Sequence, residues 1–251
     1  MPYLFTRLSH EVPFDGAEYI QESLVEKVLS VKIPLQDGYV NWLFGPDASS
    51  LKSQDGAYTL TEANGAVNKT YGASSVTLGA DAGTNLNGLR SPFADSNNYT
   101  VCGVFKYSGE AAMVLMGAID GTKGESIQMN SAGVLCHSRR NSSGQIAATP
   151  IPTPSGLKAG DYIFIGLARN GDNFIARVGG ASSSLAATSA KAIGTGLFHG
   201  PGNTSTQTAG YSKALTVVEF LYRPAAATDA ELTAVYQLAK TRCAARGITI
   251  L

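Results

Sequence analysis

Apolar residues recur along this chain first at helical spacing and then, from residue 39 onward, at the spacing of strands. Over 15–30, Ile20, Leu24 and Val28 return every four residues, Val25 and Leu29 widen the stripe, and Glu18, Gln21, Glu22, Glu26 and Lys27 take the opposite side. That period predicts an amphipathic helix. Pro34 stops it, and Gln36-Asp37-Gly38 reads as a turn. A lone helix cannot bury its own stripe, so residues 1–36 are expected to form an N-terminal helical arm. Its apolar side would rest on the following domain, on another subunit or on a larger assembly.

Beyond the arm the period falls to two. Strands are predicted over 39–45, 75–78, 99–107, 112–119, 126–129, 133–138, 161–169, 173–178 and 213–223. Over 99–107, Tyr99, Val101, Gly103, Phe105 and Tyr107 share one face, with Cys102 and Val104 on the other. Runs apolar on both faces suit strands in the middle of a layered sheet. Asn170-Gly171-Asp172, between two such runs, predicts a tight hairpin turn because Asn and Gly tolerate positive φ. Polar, Gly-rich loops are expected over 47–56, 62–74, 79–87, 141–156 and 199–208. Many short strands without intervening helices predict an all-β, antiparallel sandwich or closed barrel. The sandwich is assigned to residues 37–251.

The C-terminal segment carries the most specific local signal. Thr228 and Glu231 make a capping box, in which each side chain satisfies a backbone N–H of the other's turn. Leu232, Val235, Tyr236, Ala239 and Cys243 then form one apolar face, and Gly247 ends the helix. A closing helix is therefore expected over 228–246, followed by a short extended end.

Composition agrees with many short strands and small-residue turns: charged residues are 15% of the 251. The 19 basic and 19 acidic residues cancel, so no net field draws the chain to nucleic acid or an anionic membrane. No apolar run reaches the roughly 18 residues that span a bilayer. Residues 1–7, Met-Pro-Tyr-Leu-Phe-Thr-Arg, lack the pattern of a secretory signal. Cys102, Cys136 and Cys243 are odd in number and contain no CxxC. Buried free thiols, formed in a reducing cytoplasm, are the expectation.

Phe220-Leu221-Tyr222-Arg223-Pro224, then Thr228-Asp229-Ala230-Glu231-Leu232, then Val235-Tyr236 resemble the ending of concanavalin A-like (laminin-G-like) jelly-roll domains of phage tail and fibre structural proteins. Asn41-Trp42-Leu43-Phe44-Gly45 is similar to their first strand. The resemblance implies a jelly roll and a non-enzymatic virion component of the tail, fibre or baseplate region, assembled in the host cytoplasm. It would bind other virion proteins through the arm, form a homo-oligomer, and contribute to recognition of a host surface glycan. A free carbohydrate-binding lectin is the alternative, and a glycan hydrolase a further one.

Sandwich glycanases place two carboxylates close together on one strand. No predicted strand here does so: Glu219 stands between Val217 and Leu221, Asp161 precedes a strand, and Glu110 and Glu125 read as loop residues. His10, His137 and His199 lack metal-ligand spacing. Asp120-Gly121-Thr122 and Asp81-Ala82-Gly83 have oxygens suited to Ca²⁺ but no Asp-rich loop, and turn chemistry accounts for them. No catalytic residue, cofactor or metal is expected. Candidate glycan contacts from loops at sheet ends are Asp120, Arg139, Asn141, His199 and Asn203, with Tyr58, Tyr71, Phe198 and Tyr211 as aromatic residues in or near loops. Trp42, within an apolar run, is expected in the core.

Overall fold

The structure is a computed structural model that describes residues 33–65, 67–81, 83–206 and 210–251. The arm expected over 1–36 lies almost wholly outside them. In chain order the strands are β1 (Val40–Leu43), β2 (Thr61–Glu62), β3 (Lys69–Gly72), β4 (Ser75–Leu78), β5 (Leu89–Arg90), β6 (Asn98–Lys106), β7 (Met113–Ile119) and β8 (Gly124–Met129). They continue with β9 (Leu135–Arg140), β10 (Ile146–Pro150), β11 (Tyr162–Asn170), β12 (Asn173–Val178), β13 (Leu185–Thr188), β14 (Gly200–Pro201) and β15 (Leu215–Arg223). A helix, α1 (Asp229–Ala244), follows.

The strands form an antiparallel β-sandwich. The larger sheet runs β13-β12-β11-β6-β15-β4-β3, with β1 also paired to β15; the smaller runs β10-β9-β8-β7-β14; β2 and β5 pair separately. On β6, Tyr99, Val101 and Phe105 join the core between the sheets, while Cys102 and Val104 join a second core beneath α1. The large sheet is thus the middle of three layers, which is why its strands are apolar on both faces. Each side chain fully buried in this way contributes roughly 1.5–3 kcal/mol.

The hairpin β11–β12 forms as expected but turns one residue later than the Asn-Gly pair suggested. Asn170 pairs with Asn173, so the two-residue loop is Gly171-Asp172. Gly171 takes φ of 59°, the positive value that the first position of a type II′ turn requires. The expected loops 62–74, 141–156 and 199–208 contain β3, β10 and β14. The first two are edge strands that alternate exposed and half-buried positions, with no run of large apolar residues to mark them.

The closing helix is a clasp. Thr228 Oγ1 accepts from the Glu231 N–H at 3.2 Å, and the Thr228 N–H donates to the Glu231 carboxylate at 2.7 Å. At the other end Gly247 is left-handed and the Ile248 N–H returns to the Cys243 carbonyl at 2.9 Å, a Schellman closure. Leu232, Val235, Tyr236, Ala239 and Cys243 are all buried, against Phe164, Val218 and Leu221 among others. Two glycines make room for this fit, Gly166 on β11 and Gly179 just after β12. A methyl at Gly166 would stand 2.9 Å from Leu232 Cδ2, and one at Gly179 would enter the Tyr236 ring.

Polar contacts hold the same face. Glu219, which looks isolated on its strand, receives both Arg242 Nε and Nη2, at 2.9 and 2.8 Å, with both side chains fully buried. Arg246 donates to the carbonyls of Phe44, Ser74 and Val218. Removing the Thr228 cap is expected to cost about 0.5–2 kcal/mol. Leu232→Ala should cost about 2–5 kcal/mol through lost burial and a residual cavity. Arg242→Met, which leaves Glu219 buried and unpaired, should cost about 3–5 kcal/mol. Thermal melts of the three variants rank them; equal, negligible shifts would mean that the helix is not part of the fold.

Candidate functional site

Among the described residues, the densest chemistry lies between the sheets, at strand positions that share a face with apolar core residues. Glu125 follows the parity of Ile127 and Met129, Arg169 that of Ile165 and Leu167, and Tyr99 that of Val101; all of these point into the core between the sheets. Glu125 is therefore a buried strand residue, and not the loop residue its sequence context suggested. Two loops complete the group: Asp95 from the segment before β6, and Lys191 and His199 from the segment between β13 and β14. These segments pair with each other, the Asp95 N–H donating to the Leu197 carbonyl at 2.8 Å and the His199 N–H to the Phe93 carbonyl at 3.0 Å.

Glu125 is the hub. Its Oε1 accepts from the Tyr99 hydroxyl at 2.5 Å and from Arg169 Nε, and Lys191 Nζ stands 3.1 Å away. Its Oε2 meets His137 Nε2 at 2.6 Å and Arg169 Nη2 at 2.5 Å. Asp95 takes the Lys191 ammonium on one oxygen and the Gly194 N–H, at 2.9 Å, on the other. Arg169 also donates to the carbonyls of Gly171 and Ser189, at 3.0 and 3.1 Å. The carboxyls of Glu125 and Asp95 face the Arg169 guanidinium and the Lys191 amine, and with these four charged and both histidines neutral the charges cancel.

Burial alone would raise the Glu125 carboxyl, but Lys191, His137 and Arg169 outweigh it and hold the group well below the usual range. Asp95 is raised, because burial there exceeds the pull of Lys191. Such divergence between neighbouring carboxyls is the pattern of an acid and its partner. Here, however, Glu125, Asp95's side chain, Arg169, Lys191 and both histidines have zero exposure. Both oxygens of Glu125 are saturated with donors. The group can tie two sheets and two loops together; it has no room for a substrate.

The sequence-derived contact residues divide accordingly. His199, fully buried, lies 4.1 Å from the Tyr99 ring and 5.8 Å from Tyr222. Asn203, 1% exposed, bridges the Asn85 and Thr206 carbonyls at 2.6 and 2.7 Å. Burial removes both from any surface that a glycan touches, so neither serves as a loop contact. Asp120 and Asn141 do share one end of the small sheet. Arg140 joins their turns by donating to the Asp120 and Gly144 carbonyls at 3.2 and 3.1 Å. Their side chains shape those turns: Asp120 accepts from the Thr122 and Lys123 N–H groups, Asn141 from those of Ser143 and Gln145. Arg139 does not join them; it lies over the Phe174 ring at 5.9 Å. Asp81 likewise caps its own turn through the Gly83 and Thr84 N–H groups. Tyr58, 36% exposed, packs 4.9 Å from Phe93, which stacks on Tyr222 at 4.0 Å. Trp42 is in the core as expected.

A groove unmarked in the sequence opens elsewhere, beside the start of α1. Ala168, Ile175, Ala226 and Ala227 supply its apolar walls and Asn170 and Asn173 its rim, around about 250 Å³. Its residues come from the β11–β12 hairpin and from the approach to α1, two places far apart in sequence, and that is why no local pattern announces it.

No family model matches this sequence, and no curated protein matches it. Solved structures share the fold. Domain 4 of AbnA, a GH43 extracellular arabinanase from Geobacillus stearothermophilus, in complex with arabinotriose, has a TM-score of 0.56 at 14% identity, over 79% of this chain and 97% of that one. The Trypanosoma rangeli sialidase in complex with sialic acid gives 0.58 at 14%, over 81% of this chain and 33% of that one. The ligand binding domain of botulinum neurotoxin serotype D, in complex with N-acetylneuraminic acid, gives 0.53 at 11%, over 79% and 50%. The chain thus spans a third of the sialidase and half of the toxin domain. Enzymes and binding domains both occur among these neighbours.

The buried histidines make stability depend on pH. Burial, then the Lys191 charge, pushes His199 down to about 3, and burial also lowers His137 despite Glu125. The unfolded chain takes up these protons below about pH 6.5. The His199 contribution is therefore full above that value and is lost as pH falls toward 3, by up to about 1.4 kcal/mol per pH unit, and that of His137 is lost in the same direction. The raised Asp95 carboxyl opposes this at the acid end. Urea-unfolding midpoints should fall from about pH 7 to about pH 4 and fall less in His199→Phe; an unaltered slope in that variant would refute the assignment.

Proposed function

We propose that this chain is a non-catalytic, concanavalin A-like jelly-roll module that recognises carbohydrate. The observation that carries the reading is the internal use of the carboxylates the fold brings together. Glu125 and Asp95 are sealed between the sheets against Lys191 and Arg169, and Glu219 is sealed against Arg242 beneath the helix. A glycosidase needs a carboxyl free to give a proton and another free to attack or to activate water. None of these three is free. Recognition then falls to the rims and loops that a rigid sandwich displays. Domains of this fold with bound arabinotriose and N-acetylneuraminic acid support carbohydrate as the ligand class, by analogy of fold.

A second reading, a structural part of a phage virion with residues 1–36 as its docking and oligomerising arm, is favoured by the C-terminal motif alone. The helical part of that motif is engaged in the clasp: Thr228 and Glu231 cap the helix, and Leu232, Val235 and Tyr236 are buried. The motif thus speaks for the fold more strongly than for the particle.

A glycan array, followed by reducing-sugar assays on the glycans retained, tests the main reading. Binding without release of reducing ends is expected. Release that disappears when one exposed Asp or Glu is changed would overturn it.

A further inference from the structure

We propose that the groove beside the start of α1 is a subsite for one ring of a neutral saccharide, an inference that rests on the carbohydrate reading above. Its walls and rim divide the labour that a sugar requires. The methyl groups of Ala168, Ala226 and Ala227 and the side chain of Ile175 form an apolar lining for the C–H face of a ring. Hydroxyls need partners that both donate and accept, and a side-chain amide offers both. Among the described residues the Asn170 amide, which is exposed, makes no hydrogen bond. The Asn173 amide uses only its oxygen, which accepts from the Thr188 hydroxyl at 2.6 Å, so its nitrogen is available. These free amide groups end adjacent strands on the rim of one apolar hollow. With about 250 Å³, the hollow falls just below the roughly 300–1,000 Å³ usual for small-molecule pockets, which suits a single ring.

The surrounding charges select a neutral ring over an acidic one. Arg177 is committed to Asp229, at 2.9 and 3.0 Å, and Arg223 to Glu231 at 3.0 Å. The N-terminus of α1 is closed to an anion as well, since Thr228 and Glu231 already cap it and Asp229 adds negative charge to its first turn. A sugar carboxylate placed here would give up water without gaining a cation, which is unfavourable.

The test is titration calorimetry on the full chain with arabinotriose, a panel of other neutral oligosaccharides and N-acetylneuraminic acid. It is repeated on Asn170→Ala/Asn173→Ala and on Ala226→Leu, which fills the hollow. The expected result is binding of at least one neutral saccharide and no binding of N-acetylneuraminic acid. Loss of the rim hydrogen bonds should weaken binding about tenfold, and the filled variant should lose it, with melting temperatures near that of the parent. The two variants act by different means, so a folding defect in one leaves the other decisive. Neutral-sugar binding that survives both changes would overturn the groove while leaving the carbohydrate reading intact. Binding of N-acetylneuraminic acid alone would overturn the ligand class. An absence of binding here and on the array would sink the carbohydrate reading, and the subsite with it.

Discussion

A carboxylate moved from water into a protein interior costs several kcal/mol unless cations and donors receive it, and the sandwich is assembled around one such group. Glu125 reaches from the small sheet to Arg169 and Tyr99 on the large one, takes His137 from its own sheet, and meets Lys191 from a loop. Net stabilisation from such a cluster is small, because desolvation offsets most of the attraction. Its effect is on alignment. Apolar burial is non-directional, whereas a slide of one sheet over the other would break most contacts of Glu125 together and strand it without compensation. The same cluster adds side-chain contacts of Asp95 and Lys191 to loop segments that backbone hydrogen bonds also hold.

The opposite face of the large sheet repeats this logic with fewer parts. Arg242 carries a charge from the helix to Glu219 beneath it, and the apolar face of α1 closes over the rest. The middle sheet is therefore pinned by a buried ion pair on each side. A layer so fixed is a firm base for a binding rim, since strand ends such as Asn170 and Asn173 inherit its rigidity. The binding reading needs a stable framework with adaptable edges, and the distribution of charge inside this molecule supplies the framework.

Much of the architecture was legible in the sequence. The strands with apolar alternation, the capping box at Thr228 and Glu231, the apolar face from Leu232 to Cys243 and the hairpin at Gly171 all declare themselves through local spacing. The edge strands do not: over Lys69–Gly72 and Ile146–Pro150 at least one face meets water, so the apolar signal is lost. The polar core was present as a parity signal, with Glu125, Arg169 and Tyr99 at inward positions of their strands. Reading that signal requires knowing that opposite strands bring them together, which is long-range information. For the same reason His199 and Asn203 resembled solvated loop residues, while their loops in fact run beneath the surface. Asp120 and Asn141 do lie in turns at a sheet end, yet their side-chain oxygens serve those turns.

Gly166 and Gly179 bear on how this chain tolerates change. Neither contributes buried apolar area, neither takes part in a charge pair, and by side-chain chemistry both look dispensable. They are nonetheless where Leu232 and Tyr236 seat, so the position of the helix is specified by atoms that are missing. A survey of substitutions should find Gly179, where an added carbon would meet the Tyr236 ring, less permissive than Gly166, where the end of the Leu232 side chain can shift. Larger residues there would require compensating smaller ones at 232 or 236, so the pairs 166 with 232 and 179 with 236 should vary together.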